Sequence, residues 1–589
     1  MPCLGPNDER DAEPARTGLT RFRHSSWPIV GGVLLVALFV VSRALFLDRD
    51  VPRYSISQIQ PIDEFYYTIP AFNLFHHGSL AYQVVPYIPT DGAPVNLLQS
   101  VLTSLTLLIF GNNYYGMRMA SVLAGIVIFV LLFLILRREV ACGADGAKGW
   151  VIQATPLLCL VYLVSDFSFN VAARVADPSI SRMLAMVLVL FVVSVWPQRG
   201  SPSMWRAFAL GFVGTAAFVY VYAYNPFIFP AVVVTLIVEA LPWGGRAIAR
   251  QVVAGAVGAA VAILSFAGVV YATYGESLLD VYRVNIAPFT GRLSIGHLIS
   301  ALPENFISIF STNIFRFDIP ILLAFLLALP VFAHRVIKER SSIGILTASL
   351  LVFLGLQTLV APDTGYRRLV VLDPLVVLAV GMAVPNIQQF AKTLRSNRLV
   401  AVATVLYLLI AARGLYGVVH RQSGILGSRF EVLSAVCVLV LVIALGALIL
   451  SRRRNAILVV AAISAVTLPG AALSAQHLFL DATFHYRDAM VAAAPILDGQ
   501  ITAGEFSYAF RLYNTSEPLL PVNPSYYSAS ARSEYNSNLR RLFSDGTLSR
   551  TVSLPKSTKL LALGMRAYAT FFVGAERVPY FVIYVRSQS

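Results

Sequence analysis

The sequence predicts a polytopic α-helical membrane protein of about thirteen transmembrane helices, with a small C-terminal extracytoplasmic α/β domain. Three observations predict it. Of 589 residues, 57% are hydrophobic and only 13% charged, the composition of a chain that lies largely in lipid. Apolar runs of about twenty residues, the length needed to cross a hydrocarbon core of roughly 30 Å, recur from residue 28 to residue 475. Between them, the basic residues gather in short loops, which a positive-inside distribution assigns to the cytoplasmic side.

The polar stretch 1–27 carries Arg10, Arg16, Arg21 and Arg23 ahead of the first apolar run, and no small-residue cleavage site follows it. It reads as the cytoplasmic tail of an uncleaved signal anchor. The basic loops at 137–139, 197–206, 244–250, 334–340, 392–398 and 451–455 share one compartment only if residues 94–110 do not cross. That stretch is therefore placed as a helix on, or dipping into, the outer leaflet. The spans then fall near 28–47, 116–136, 151–168, 179–196, 207–223, 226–241, 252–273, 317–333, 342–360, 368–384, 399–416, 432–450 and 456–475.

This count divides the chain into the tail, a transmembrane module at 28–476 and a soluble domain at 477–589 outside. Within the module, a first external loop covers 48–115 and a later one 274–315. In the soluble domain, "YRDAMVAAAPIL" and "SEYNSNLRRLF" have helical spacing, and "KLLALGM" and "YFVIYVR" have strand character. The setting is a bacterial inner (plasma) membrane, with the C-terminal domain periplasmic or extracellular.

Several function classes are excluded. The net charge of +15 reflects the cytoplasmic loops and not a nucleic-acid partner. Four cysteines, two in cytoplasmic stretches and two within spans, leave no disulfide for the outer domain. CxxC, HExxH, GxSxG and phosphate-cradling glycine loops are all missing from the sequence.

Three charged constellations, far apart in the chain, reach the same outer face: "PIDEFYYTIPAFNLFHHGSL" at 61–80, "NVAARVADPSISRML" at 170–184 and "APDTGYRRLVVLDP" at 361–374. Ionisable groups at span ends line a cavity or pair with one another. Structural readings exist for each. Asp63 and Glu64 complement a helix N-terminus; Asp177 before Pro178 is an N-cap pattern, with Arg174 as its ion-pair partner; Arg367 and Arg368 suit snorkelling at a span end. Asp373 is assigned a structural pairing with Arg368. His76 and His77, adjacent and so on different helix faces, are read as a solvated loop.

These stretches resemble the membrane glycosyltransferases of the C-type fold (GT-C), in the branch of protein O-mannosyltransferases and lipid A aminoarabinose transferases. "DEFYYTIPAFNLFHHGSL" is similar to that family's acidic opening in the first external loop. "APVNLLQSVLTSLTLLIFGNNYYGMRMASVL" resembles its surface helix, LFG turn and following Arg; "ARVADPSISRML" and "GYRRLVVLDPLVVL" resemble its later acidic and Tyr/Arg motifs. The resemblance covers roughly residues 28–384 and departs at Ala93 and near Asn225.

It implies transfer of a sugar, with inversion, from a polyprenyl phosphate donor to a lipid, glycan or protein acceptor on the outer face. Asp63, Glu64 and Asp177 are then catalytic, and Arg174, Tyr366, Arg367 and Arg368 bind the donor phosphate. Isolated loop carboxylates define no metal site, and a divalent cation is left as an open option. The competing class is a transporter or flippase of a lipid-linked saccharide, which usually carries midplane charges and inverted repeats.

Overall fold

A computed structural model of the chain describes residues 27–49, 62–80, 97–142, 149–176, 178–196, 202–221, 227–274, 319–360, 371–409, 428–450, 456–480, 484–503, 511–519 and parts of 537–586. The helices are α1 (Trp27–Ala44), α2 (Ile62–His77), α3 (Leu97–Phe110), α4 (Tyr114–Cys142), α5 (Gly149–Ser165), α6 (Phe167–Ala172), α7 (Pro178–Val195), α8 (Met204–Ala216, continued as a π-turn over Ala217–Val221), α9 (Ile228–Ala240) and α10 (Gly245–Tyr274). They continue with α11 (Ile319–Glu339), α12 (Ser342–Val360), α13 (Leu372–Ala383), α14 (Ile387–Ser396), α15 (Arg398–Leu409), α16 (Ser428–Leu450), α17 (Ala456–Ala475) and α18 (His485–Leu497).

The chain is a multi-pass membrane protein. Among the described residues apolar helices overlap the expected spans, and five of them are long and apolar enough to cross a bilayer: Tyr114–Ala141, Pro178–Val195, Met204–Val221, Gly245–Ala272 and Pro320–Glu339. A further pair, Leu372–Asn386 with Gln389–Ser396, is bent by 70°.

Helix α3 has 14 residues, so at 1.5 Å per residue it is about 21 Å long and falls short of a full crossing. Its buried face is polar, with Gln99, Ser100, Thr103, Ser104 and Thr106, whereas Leu105, Leu108 and Ile109 face outward. Gln99 explains the inversion. It accepts from Ser181 Oγ of α7 and donates to Ser121 Oγ of α4 at 3.3 Å, so the helix satisfies its polar groups inward and leaves hydrocarbon to its surroundings. It ends at Gly111, whose φ of +91° is open to glycine without strain. Asn113 then caps α4, its Oδ1 accepting from Gly116 N at 2.8 Å.

The core lies where α1, α4, α5, α7, α9, α12 and α13 meet. Phe39 anchors it, with its ring 5.2 Å from Phe129 and 5.7 Å from Phe169. Buried ion pairs close one end of the bundle. There Arg335 donates to the carbonyls of Glu139 and Met382 and pairs with Glu339, and Arg206 pairs with Glu239. Arg137, Arg138, Lys338, Lys392 and Arg395 follow the same helix ends. The other end holds α2, α3 and the sheet.

Helices α8 and α10 touch backbone to backbone. A Cβ on Gly258 would lie 2.1 Å from Phe208 O, while one on Gly268 of the same helix would meet nothing within 4 Å. Gly258→Leu should therefore destabilise by about 1–3 kcal/mol, the usual penalty for overpacking, and Gly268→Leu should not. Thermal unfolding of both variants in detergent checks this.

In the C-terminal region five strands, β1 (Ile501–Ala503), β2 (Glu517–Leu519), β3 (Arg550–Ser553), β4 (Met565–Phe571) and β5 (Phe581–Arg586), form one sheet of order β2-β1-β3-β5-β4. β1 pairs in parallel with β2 and β3, and β5 pairs antiparallel with β3 and β4. Helix α18 and β5 coincide with expected segments. Of the other expected strand, "KLLALGM", only Met565, the first residue of β4, lies within the described set.

Candidate active site

The end of the bundle that carries α2 is organised by buried charge. Glu64, in the first turn of α2, is 2% exposed and meets Arg118 of α4, which is 3% exposed, in a two-point pair: Arg118 Nε to Oε1 at 2.6 Å and Nη2 to Oε2 at 2.8 Å. Oε1 also accepts from the backbone N of Ala176 at 3.0 Å. The remaining Arg118 nitrogen donates to Leu47 O at 2.8 Å and to Arg49 O, and the guanidinium lies over the Tyr114 ring at 4.6 Å. Fork-shaped pairing of this kind satisfies both groups and fixes their orientation.

This knot joins three segments. Arg118 holds the turn after α1, Glu64 holds the start of α2, and Ala176 belongs to the turn before α7, which Ser121 Oγ also grips through Val175 O at 2.7 Å. Glu64 follows Asp63 in the chain and Ala176 precedes Asp177, so the Glu64–Ala176 bond brings together the two acidic segments singled out in the sequence. Asp63 lies in the first turn of α2. Asp177, Tyr366, Arg367 and Arg368 lie outside the described residues.

Glu64, expected to be catalytic, has both oxygens engaged by Arg118 and is shut from solvent. Arg174, expected at the donor phosphate, is buried and donates to Ser42 O at 3.0 Å, Leu45 O at 2.5 Å and Phe46 O at 2.7 Å, capping the carbonyls that α1 leaves open at its end. Burial, followed by the charges of Arg49 and Arg118, pulls its pKa down to about 9.

Asp166, not singled out from the sequence, is fully buried beneath this site and caps α6, accepting from Phe169 N at 2.6 Å and from Tyr162 OH at 3.1 Å. Its place after an apolar run and three residues before Phe169 is an N-cap pattern. Asp373, also fully buried, lies in the first turn of α13. The expected partner Arg368 is outside the described set. Arg43 lies nearby, donating to Leu163 O and Val164 O, both at 3.0 Å.

His76 and His77, expected in a solvated loop, form the last turn of α2. Phe72 and Phe75 explain the difference: their rings lie 6.4 and 4.7 Å from the His76 ring, so the helix continues to cover them. Burial, then the charges of Arg511 and His77, lowers the His76 pKa to about 4. Among the described residues no group of three His, Cys, Asp or Glu side chains is placed to hold a metal ion.

No protein-family model and no curated protein sequence matches the chain. Solved structures do. The chain is similar to ArnT from Cupriavidus metallidurans bound to undecaprenyl phosphate, at 14% identity and a TM-score of 0.55, over 95% of this chain and 98% of that one. The apo form of the same protein matches over the same shares at 14% identity and a TM-score of 0.51. The chain thus has the GT-C fold along nearly its whole length.

Proposed function

We propose that this protein is an integral membrane glycosyltransferase of a bacterial inner membrane, moving a sugar from a polyprenyl phosphate donor to a lipid, glycan or protein acceptor on the outer face. The observation that carries the reading is the Glu64–Arg118–Ala176 knot, which draws the Asp63 and Asp177 segments to one end of a GT-C fold. A structural neighbour, ArnT, has been solved with undecaprenyl phosphate bound. The basic short loops of the sequence support an N-terminus in the cytoplasm, thirteen crossings and the C-terminal domain outside.

In this mechanism Asp63 takes the proton of the acceptor hydroxyl. The oxygen attacks the anomeric carbon from the face opposite the phosphate, the bond to phosphate breaks, and the polyprenyl phosphate leaves with both electrons of that bond. Tyr366, Arg367 and Arg368 stabilise its growing charge, Asp177 orients the acceptor, and Arg174 adds positive potential from behind the turn.

The reading is tested by mass analysis of envelope glycolipids and glycoproteins from cells with and without the gene, followed by transfer from a purified undecaprenyl phosphate sugar. A sugar missing from one acceptor is the expected result. An unchanged envelope with no release of undecaprenyl phosphate in vitro overturns it.

A further inference from the structure

The C-terminal region and α2 are far apart in the chain, with Asn73 and Arg511 separated by 438 residues, yet they share a dense set of polar contacts. Asn112, in the turn between α3 and α4, donates from Nδ2 to Arg511 O and Asn514 O, both at 3.1 Å, and its own carbonyl accepts from Tyr513 N at 3.1 Å. Tyr513 OH accepts from Tyr114 N at 3.4 Å. Arg511 reaches α2 itself, with Nη1 2.6 Å from Asn73 Oδ1 and Nη2 3.4 Å from His77 Nε2. On the other flank Arg487 of α18 pairs with Asp48, after α1, at 2.7 Å.

Two features show that this contact is built. Tyr513 holds a φ of +69°, a conformation that costs a non-glycine residue about 1–2 kcal/mol and persists where its surroundings over-determine it. Leu512, beside it, is fully buried in a cluster with Phe65, Ile69 and Phe72 of α2 and Met490 of α18. The apolar step thus seats the loop, and Arg511 fixes it to Asn73.

Helix α2 has a reason to need this support. Pro70 lies inside it and cannot donate to the carbonyl four residues back, which weakens the helix at that point. The Glu64–Arg118 knot pins one point of the part before Pro70 and Arg511 pins the part after it, so the tilt of the first turn, which carries Asp63, is set by both anchors together. We infer that Arg511 is a positioning residue: by clamping Asn73 it keeps α2 in line across the Pro70 break and so holds Asp63 against the acceptor. This rests on the proposed catalytic role of Asp63, because a tilt of α2 moves the base without touching the donor phosphate.

The experiment has two arms on the full-length protein in nanodiscs, with Arg511→Ala, Arg511→Lys and Asn73→Ala. Hydrogen exchange reads the clamp: amides of 62–77 should exchange faster in both Ala variants and closer to wild type in Arg511→Lys, with α7 unchanged. Transfer kinetics read the positioning: turnover should fall roughly 10- to 100-fold, the range a misplacement of about 1 Å produces, with donor KM unchanged and partial rescue by Lys. If the wild type transfers no sugar, the glycosyltransferase reading fails, and with it Asp63 positioning, while the exchange arm still decides the clamp. Wild-type exchange and turnover in Arg511→Ala overturns the inference, as does equal loss of protection in α2 and α7 in all three variants, which would make Arg511 a general prop of the fold.

Discussion

Asp63→Asn will lower sugar transfer by about 10²- to 10⁴-fold, the usual contribution of a positioned general base, and will leave insertion and stability close to wild type. The amide keeps the shape of the carboxylate and its place in the first turn of α2, so the neighbouring Glu64–Arg118 pair is undisturbed. What is lost is basicity. A negative charge at this helix end contributes about 0.3–1 kcal/mol through the helix dipole, too little to unfold the protein. The measurement is turnover with a purified undecaprenyl phosphate sugar beside the thermal midpoint of the same sample. A variant with wild-type turnover removes Asp63 from the mechanism, and one that loses both turnover and stability makes it structural. Glu64→Gln separates the two carboxylates: it should lose stability first, with turnover falling only as far as α2 moves.

Local pattern was a good guide to the helices and a poor one to the roles of individual charges, for a physical reason. Hydropathy over about twenty residues is a property of one segment, so apolar helices stand at the expected spans. The short α3 was legible through the compartment that Arg137 and Arg138 must share. Whether a carboxylate is engaged depends on partners elsewhere. Asp63 and Glu64 look alike in the chain, and the partner that engages Glu64, Arg118, lies 54 residues further on.

His76 failed the other way. Its stacking partner, Phe72 four residues earlier, was visible at helical spacing and argued for continued helix. Arg511 and Asn112 left no trace in periodicity, because their hydrogen-bond partners lie 399 to 438 residues away in the chain.

The largest loss of stability is expected from Arg118→Met. Removing the guanidinium leaves the Glu64 carboxylate buried with no opposite charge and orphans the carbonyls of Leu47 and Arg49, all inside a region shut from solvent. Breaking a buried pair from one side typically costs about 3–5 kcal/mol, a large fraction of the stability of a protein. The double variant Glu64→Gln/Arg118→Met should recover part of this, because the uncompensated charge is gone and the new side-chain amide oxygen can still accept from Ala176 N. Thermal midpoints of the wild type, both single variants and the double variant close the cycle, and the interaction is real if the double is more stable than Arg118→Met alone. Midpoints that simply add would mean that the pair contributes nothing as a pair. The knot would then be a by-product of packing, and the meeting of the Asp63 and Asp177 segments would need another cause.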